Sequence, residues 1–207
     1  MEKTSPPGFA DQPLMRGESL PGDASPGQTD LSRFTNDWYR PGPRWKVLAW
    51  FLIGKWFINS YLPLPVGIKT AILRAFGATI GRGVMIKPGV NIKYPWLLSV
   101  GDYVWIGEGV WIDNLAPVVL ENNVCISQGA MLETGNHDYR KPTFDLIIKP
   151  IRLETGAWIG AGTVMCPGVV AHSHSVLAAG SVATRSLDAY GIYQGNPAVW
   201  VKKRDIA

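Results

Sequence analysis

Aliphatic side chains recur every six residues between Ile80 and Thr184, and a small or β-branched residue follows each of them four positions later. Clear examples are Val100-Gly-Asp-Tyr-Val104, Ile106-Gly-Glu-Gly-Val110 and Ile159-Gly-Ala-Gly-Thr163. Repeats this short, with Gly or Asn where the chain turns, are typical of a parallel β-helix in which each unit forms one flat side of a coil. The pattern therefore predicts a mainly β fold whose leading aliphatic residues point inward and stack from coil to coil.

Three units make a triangular coil of eighteen residues, and two-residue insertions separate the first coils. The leading positions are 80, 86 and 92, then 100, 106 and 112, then 120, 126 and 132, and later 153, 159, 165, 171, 177 and 183. We expect the β-helix over 79–186, with one long insertion at 135–150. Because loops on rigid scaffolds concentrate functional residues, this insertion marks the expected site.

Two columns of the predicted β-helix carry apolar side chains on its outer surface. The columns are Met85, Trp105, Cys125, Trp158 and Val176, and Asn91, Trp111, Met131, Val164 and Val182. Exposed apolar patches of this length are unusual on a monomer, so the columns favour a surface that contacts another copy. The alternative is that N-terminal helices or the long loop of the same chain cover them.

The segment from Trp45 to Phe76 is rich in Trp, Phe, Leu and Ile. A membrane-spanning helix of ~20 residues does not fit it, because the longest uncharged run, Trp56–Ile68, is thirteen residues long and contains two prolines. We predict helices over 44–61 and 66–76 within a helical unit, 33–78, that caps the open end of the solenoid. A compatible alternative is that residues 44–76 rest on a membrane surface through their Trp and Lys side chains.

The two ends of the chain are expected to lie outside the packed fold. Residues 1–32 are rich in Pro and Gly and have almost no large apolar side chains, so we expect a disordered tail. Residues 187–207 follow the last repeat and are expected to form a C-terminal tail.

Composition narrows the functional classes. The 207 residues allow one substantial domain with small additions. The net charge is +4 and much of it lies at the end of the chain, without the interleaved aromatic residues of a nucleic-acid surface, so no nucleic-acid partner is expected. Cys125 and Cys166 do not have a metal-type spacing, and the N-terminus lacks the order of a signal peptide, which together favour a cytoplasmic protein.

Several motifs together resemble the hexapeptide-repeat acyltransferases, and within them the colanic-acid biosynthesis O-acetyltransferases of the WcaF type. They are the repeats, Thr134-Gly-Asn-His-Asp138, Trp158-Ile-Gly-Ala-Gly162 and Gly195-Asn-Pro-Ala198. The resemblance covers about residues 33 to 204. It implies a left-handed β-helix, a homotrimer with active sites between subunits, and acetyl-CoA as co-substrate.

The resemblance also implies roles for individual residues. His137 matches the catalytic base, and a histidine suits this work because its pKa lies near neutrality. Asp138 is expected either to orient the imidazole or to form a turn. Asp113 and Asn114 match a corner where relatives contact the acceptor sugar, although both residue types also form turns.

The expected path of CoA follows the later coils. Small residues at Ala161 and Ala179 would let pantetheine approach the backbone, and Arg185 and Lys202 match positions where family members hold the CoA phosphates. No metal is expected. The function implied is acetyl transfer from acetyl-CoA to a sugar hydroxyl in exopolysaccharide or other glycan synthesis.

Three other functions remain open at the level of sequence. Transfer to the amine of an amino sugar would use the same machinery. His137, His172 and His174 raise the alternative of a zinc carbonic anhydrase, since some β-helix trimers hold zinc through three histidines, although the spacing here does not resemble theirs. A non-catalytic scaffold at a membrane is the third alternative, because fold alone does not fix function.

Overall fold

The computed structural model describes residues 27–207, with only the backbone described at Lys55. A short 3-10 turn at Leu31–Arg33 precedes two helices, α1 (Arg44–Phe57) and α2 (Val66–Ala75). The helix α1 ends four residues before the predicted boundary, and the N–H groups of Ile58 and Asn59 both donate to the Gly54 carbonyl and close its last turn. Most of the tail expected to be disordered, 1–26, lies outside the described residues.

Nineteen short strands follow. They are β1 (Thr79–Ile80), β2 (Met85–Ile86), β3 (Asn91–Ile92), β4 (Leu98–Val100), β5 (Trp105–Ile106), β6 (Trp111–Asp113), β7 (Val118–Leu120), β8 (Cys125–Ile126), β9 (Met131–Glu133), β10 (Gly135–His137), β11 (Leu146–Ile148), β12 (Ile151–Leu153), β13 (Trp158–Ile159), β14 (Val164–Met165), β15 (Val170–Ala171), β16 (Val176–Leu177), β17 (Val182–Ala183), β18 (Gly191–Gly195) and β19 (Ala198–Lys203).

The strands form the three faces of a parallel solenoid. The first face has the order β1-β4-β7-β12-β15, the second β2-β5-β8-β13-β16 and the third β3-β6-β9-β14-β17. All fifteen leading aliphatic positions predicted from the repeat are buried, the most accessible being Ile80 at 8% exposed. The predicted register is therefore confirmed, and the two outward columns run along the second and third faces as expected.

The N-terminal helices cap the first coil through hydrogen bonds as well as apolar contacts. In later coils the carbonyls of Val100, Ile106 and Ile112 accept N–H groups from the preceding coil. No coil precedes the equivalent carbonyls of the first coil, which belong to Ile80, Ile86 and Ile92. Side chains of the helices take the place of that coil.

Each open carbonyl accepts a hydrogen bond from a different side chain. Arg74 Nη2 donates to Ile80 at 2.9 Å, buried Lys69 donates through Nζ to Ile86 at 3.4 Å and to Lys87 at 3.2 Å, and Trp50 Nε1 donates to Ile92 at 2.9 Å. Burial lowers the pKa of the Lys69 ammonium. The predicted helical cap is confirmed, and it closes all three faces.

The segment 187–207, expected to be a tail, is instead a β-hairpin. The strand β18 continues the second face beside β16, and β19 pairs antiparallel with β18. Tyr193 takes the inward position next to Leu177 and is buried, while its hydroxyl donates to the Asp188 carboxylate at 2.8 Å. Because Tyr193 lies sixteen rather than eighteen residues after Leu177, the repeat does not reveal this strand.

Neither helix in residues 27–207 combines the length and the apolar character needed to cross a membrane.

The cap makes a prediction for Trp50. Trp50→Phe keeps an aromatic ring but leaves the buried Ile92 carbonyl without its donor, so we expect the free energy of unfolding to fall by about 1–3 kcal/mol. Urea unfolding followed by circular dichroism measures the loss. Trp45→Phe, at a tryptophan of the same helix that is 70% exposed, is the matched control and should change stability by less than about 0.5 kcal/mol. Equal stabilities of the two variants would contradict the role of Trp50 in the cap.

Candidate active site

The insertion at 135–150 is a β-hairpin that leaves the solenoid after the third face. The strand β10 pairs antiparallel with β11, with Gly135 opposite Ile148 and His137 opposite Leu146. The turn between the strands is closed by backbone hydrogen bonds, among them Asp138 N to the Asp145 carbonyl at 2.8 Å. His137 therefore lies at the end of a paired strand, where its backbone is held in place.

The imidazole of His137 is fixed by contacts with two phenylalanines. Its Nδ1 lies 2.8 Å from the carbonyl oxygen of Phe144, and the Phe144 ring stacks on it with centroids 4.5 Å apart. Phe34 meets it edge-on at 5.5 Å. Because a carbonyl only accepts hydrogen bonds, Nδ1 carries the proton in neutral His137. The opposite nitrogen, Nε2, then has a free lone pair, and no residue in 27–207 hydrogen-bonds to it.

Asp138 does not orient the imidazole. Its carboxylate binds Arg140 instead, at 2.9 Å to Nε and 3.2 Å to Nη2, and these contacts lower the pKa of the Asp138 carboxyl. The backbone of Arg140 also donates to the same carboxylate. Of the two roles considered from sequence, the structure supports the turn, and the Phe144 carbonyl holds the histidine.

A cavity of about 450 Å³ lies beside His137. Its lining comes from the N-terminal segment, the first coils and the hairpin: Phe34, Asn36, Tyr39, Pro41, Lys93, Tyr94, Leu115, His137 and Leu146. The Tyr39 hydroxyl donates to the Leu115 carbonyl at 2.7 Å, and burial, with Tyr94 and Asp113 nearby, raises the pKa of Tyr39. The cavity thus places polar groups near the imidazole within a largely aromatic wall.

Asp113 and Asn114 have different environments although they are adjacent. Asp113 is half-buried and forms an ion pair with Lys93 at 2.8 Å. Asn114 is fully buried, accepting from Tyr94 N at 2.9 Å and donating to Tyr94 O at 2.7 Å. Both ends of the Asn114 amide therefore have partners inside the coil, an environment that does not favour its expected contact with an acceptor. Asp113 stays a candidate.

A second groove, of about 420 Å³, runs between α1 and the third face. Trp50, Phe51 and Ile58 form its apolar side, and Trp111 and Asp113 line it from the solenoid. Lys93 and Tyr94 line this groove as well as the cavity beside His137. The two spaces therefore share a wall that lies between the helix and the histidine.

Comparison with known proteins gives close agreement over most of the chain, although no family model matches it. The chain is 34% identical to the protein named "Putative colanic acid biosynthesis acetyltransferase WcaF" of Escherichia coli (strain K12) over 176 residues, 84% of this chain and 97% of that protein. The chain belongs to the hexapeptide-repeat acetyltransferase family.

Another relative and a solved structure are also similar to this chain. The galactoside O-acetyltransferase of Escherichia coli (strain K12) is 27% identical over 143 residues, 67% of this chain and 70% of that protein. The fold matches that of a hexapeptide-repeat acetyltransferase, VCA0836 of Vibrio cholerae, solved with acetyl coenzyme A, at a TM-score of 0.69 and 23% identity over 79% of this chain and 87% of that one. The expected left-handed β-helix of the family is confirmed.

The residues expected to contact CoA lie in two regions of the hexapeptide-repeat solenoid. Ala161 and Ala179 are exposed at successive turns between the second and third faces, where Gly180 N donates to the Ala161 carbonyl at 2.8 Å. Lys202 is exposed on β19 at the edge of the second face, whereas Arg185 follows the third face. One protomer therefore does not gather all four residues on a single face.

The other two histidines have structural contacts. His172 Nδ1 lies 3.1 Å from the Glu154 carboxylate, and the His174 ring stacks on Tyr190 at 4.8 Å. Within residues 27–207, no three His, Cys, Asp or Glu side chains gather in a group that would hold a metal ion. The zinc alternative therefore has no ligand set in this part of the chain.

Several residues around His137 were not expected from the sequence. Phe34 and Tyr39 precede the repeats by more than forty positions, and Phe144 contributes a backbone carbonyl, which any residue type carries. The only local sign is structural, since Phe144 adopts a φ of +52°, a conformation uncommon for residues other than glycine. These residues become recognisable only once the hairpin and the N-terminal segment are placed.

The contrast between Asp113 and Asn114 is testable. Asn114→Ala leaves the Tyr94 N–H without its acceptor and removes the amide donor to the Tyr94 carbonyl, which keeps only its bond from Leu97 N, so we expect the free energy of unfolding to fall by about 1–3 kcal/mol. Asp113→Ala removes only a half-exposed ion pair and should cost less than about 1 kcal/mol. Thermal unfolding of both variants decides the matter, and a larger loss for Asp113→Ala would contradict these environments.

Proposed function

We propose that this protein is an acetyl-CoA-dependent O-acetyltransferase that modifies a sugar hydroxyl during polysaccharide or other glycan biosynthesis. The observation that carries the proposal is the tautomer of His137, since the Phe144 carbonyl holds the proton on Nδ1 and leaves Nε2 as a base. The colanic acid and galactoside acetyltransferases among its relatives support a sugar acceptor.

The reaction would proceed by direct transfer. Nε2 of His137 takes the proton of the acceptor hydroxyl as its oxygen attacks the thioester carbonyl of acetyl-CoA. The tetrahedral intermediate then collapses, the C–S bond breaks, and the leaving thiolate of CoA receives the proton from the imidazolium. The Phe144 carbonyl stabilises the imidazolium through the retained Nδ1–H bond, and no acyl-enzyme forms.

The acceptor sugar would occupy the cavity beside His137. Tyr39 and Lys93 supply polar groups in its wall, and Asp113, paired with Lys93, supplies a carboxylate next to it. A carboxylate accepts hydrogen bonds from hydroxyls, and a phenol can accept or donate them. Tyr94 adds an aromatic ring of the kind that packs against a sugar ring. An acceptor built from hydroxyls therefore fits this lining.

Acetyl-CoA would lie along the turns between the second and third faces. A side-chain carbon added at Gly162 or Gly180 would meet no atom within 4 Å, so pantetheine has room beside Ala161 and Ala179. Lys202 is placed to meet phosphate from the second face. Because Arg185 and His137 belong to another part of the surface, we propose that one copy binds CoA against the histidine of its neighbour.

This arrangement requires a homotrimer with sites between subunits. The outward columns support it, because Trp105, Trp158 and Trp111 are exposed although the helices and the hairpin are in place. Cover by the N-terminal helices or the long loop, the alternative considered from sequence, therefore does not account for these residues in the described part of the chain. Since acetyl-CoA is an intracellular metabolite, we place the enzyme in the cytoplasm.

The role of His137 is tested by His137→Ala. We expect kcat for acetyl transfer to fall about 10²–10⁴-fold while the Kd for acetyl-CoA, measured by calorimetry, changes little, because Nε2 acts on the acceptor. His172→Ala is the matched control, since His172 contacts Glu154 away from the cavity, and its kcat should be unchanged. An unaltered kcat in His137→Ala would contradict the mechanism, and a wild-type protein that neither binds nor consumes acetyl-CoA would favour a scaffold.

The acceptor class is tested separately with a panel of glycans and labelled acetyl-CoA, analysed by mass spectrometry. We expect acetyl esters on hydroxyls that are lost on treatment with mild base. Products found only as amides on amino sugars would show that the enzyme is an N-acetyltransferase.

The trimer is tested by charge placed in one outward column. By light scattering we expect the wild-type assembly to have three times the chain mass of 22.6 kDa. Trp105→Glu with Trp158→Glu should reduce the mass to that of one chain, because buried unpaired carboxylates oppose association. Thr79→Glu, on the first face, should stay trimeric. A monomeric wild-type protein would contradict the proposal.

A further inference from the structure

The helix α1 has a second apolar face that packs on nothing in the described chain. Trp50, Gly54 and Ile58 turn toward the solenoid and are buried. On the opposite side Trp45, Leu48, Leu52 and Trp56 lie within an arc of about 80°, given 100° per residue, and are 56 to 70% exposed. A contiguous patch of large apolar side chains on a surface marks a place of contact.

The charge around this face is predominantly positive. Between residues 38 and 101 the sequence contains nine Lys or Arg and not one Asp or Glu. Arg40 and Arg44 are exposed and line a groove with Leu48 and Phe51, next to the N-terminal end of the helix. Asp37 lines the same groove and is the one acidic residue in its wall, so the region remains positive.

We propose that α1 lies flat on an anionic lipid bilayer with Trp45, Leu48, Leu52 and Trp56 in the interface. The helix is about 21 Å long, which suits lying in the interface plane rather than crossing it. Tryptophans at its two ends suit the boundary between headgroups and acyl chains, and the surrounding arginines attract anionic headgroups.

Charge favours a bilayer over a second copy on this face. Two copies meeting through the same face would bring their Arg40 and Arg44 groups together with few acidic residues to offset them. An anionic bilayer instead offers both features that the face requires, an apolar layer for the tryptophans and negative charge for the arginines.

Docking of α1 would bring the active site close to lipid. The groove between α1 and the third face is lined by Phe51 and leads to Lys93 and Asp113, beside the His137 cavity. A sugar carried on a membrane lipid would then reach His137 from the bilayer surface. This consequence rests on the proposed function, whereas the docking of α1 does not.

Vesicle co-sedimentation of the full chain tests the docking without any activity assay. We expect binding to phosphatidylcholine vesicles that contain about 30% phosphatidylglycerol, and weaker binding to phosphatidylcholine alone or at high salt. Trp45→Ser with Trp56→Ser should weaken binding roughly tenfold or more, because the apolar area inserted is lost. Arg40→Gln with Arg44→Gln should weaken binding to the anionic vesicles but leave binding to pure phosphatidylcholine vesicles unchanged.

Trp200→Ser is the matched control, because Trp200 is similarly exposed but lies on β19. It should bind anionic vesicles as the wild-type protein does. Wild-type protein that fails to sediment, or a Trp45/Trp56 variant that binds unchanged, would overturn the proposal. If light scattering shows a smaller assembly for the Trp45/Trp56 variant than for the wild-type protein, the proposal is also overturned, since the face would then join copies of this chain. Because both tryptophans are exposed, unchanged thermal unfolding confirms that the variant is folded.

Discussion

A solenoid has an open end, and in this protein the unpaired carbonyls of the first coil are the constraint on which the N-terminal structure depends. Each face would expose one such carbonyl, at Ile80, Ile86 and Ile92, and an unpaired buried acceptor costs free energy. Arg74, Lys69 and Trp50 each satisfy one of them. Meeting all three fixes both helices on the coil at once. The position of α1 then follows, as do the groove beside it and the outward direction of its other face.

The repeat predicts the residues that stack in the core of the solenoid, but it does not predict the residues that close its two ends. Every leading aliphatic residue points into the same core and stacks on its equivalent in a neighbouring coil, so its period appears directly in the sequence and the register is correct to the residue. The cap donors have no such period. Lys69 interrupts an apolar segment, and its charge alone predicts a surface position. It is buried instead, because it donates to the carbonyls of Ile86 and Lys87 at the open end of the second face. The hairpin of β18 and β19 was missed for a related reason, since Tyr193 reaches the core through a shorter spacing.

The interruption of the repeat gives the position of the candidate site but not the contacts within it. His137 could be chosen because a motif marks it, whereas its partner could not, since the atom that binds Nδ1 is a main-chain oxygen of Phe144. Its position next to His137 suggested Asp138 as the partner of the imidazole, but the Asp138 carboxylate binds Arg140 instead. Adjacency in sequence also suggested that Asp113 and Asn114 share a role. Neighbours along an extended strand point to opposite sides, and this alternation explains why Asp113 meets Lys93 at the surface while Asn114 is buried.

The three faces are alike in backbone and different in chemistry, and this asymmetry supports a closed ring. The outward positions of the first face are Thr79, Ser99, Val119, Arg152 and Val170. None of them is aromatic, and Arg152 is paired with Glu121, which suits contact with water. The second and third faces carry the exposed tryptophans instead. A cyclic trimer joins unlike surfaces, so each chain needs two different faces for its two neighbours and can leave the third in solvent. Two faces with exposed tryptophans and one face without them fit that symmetry, and the hairpin with His137 leaves the solenoid where the third face ends.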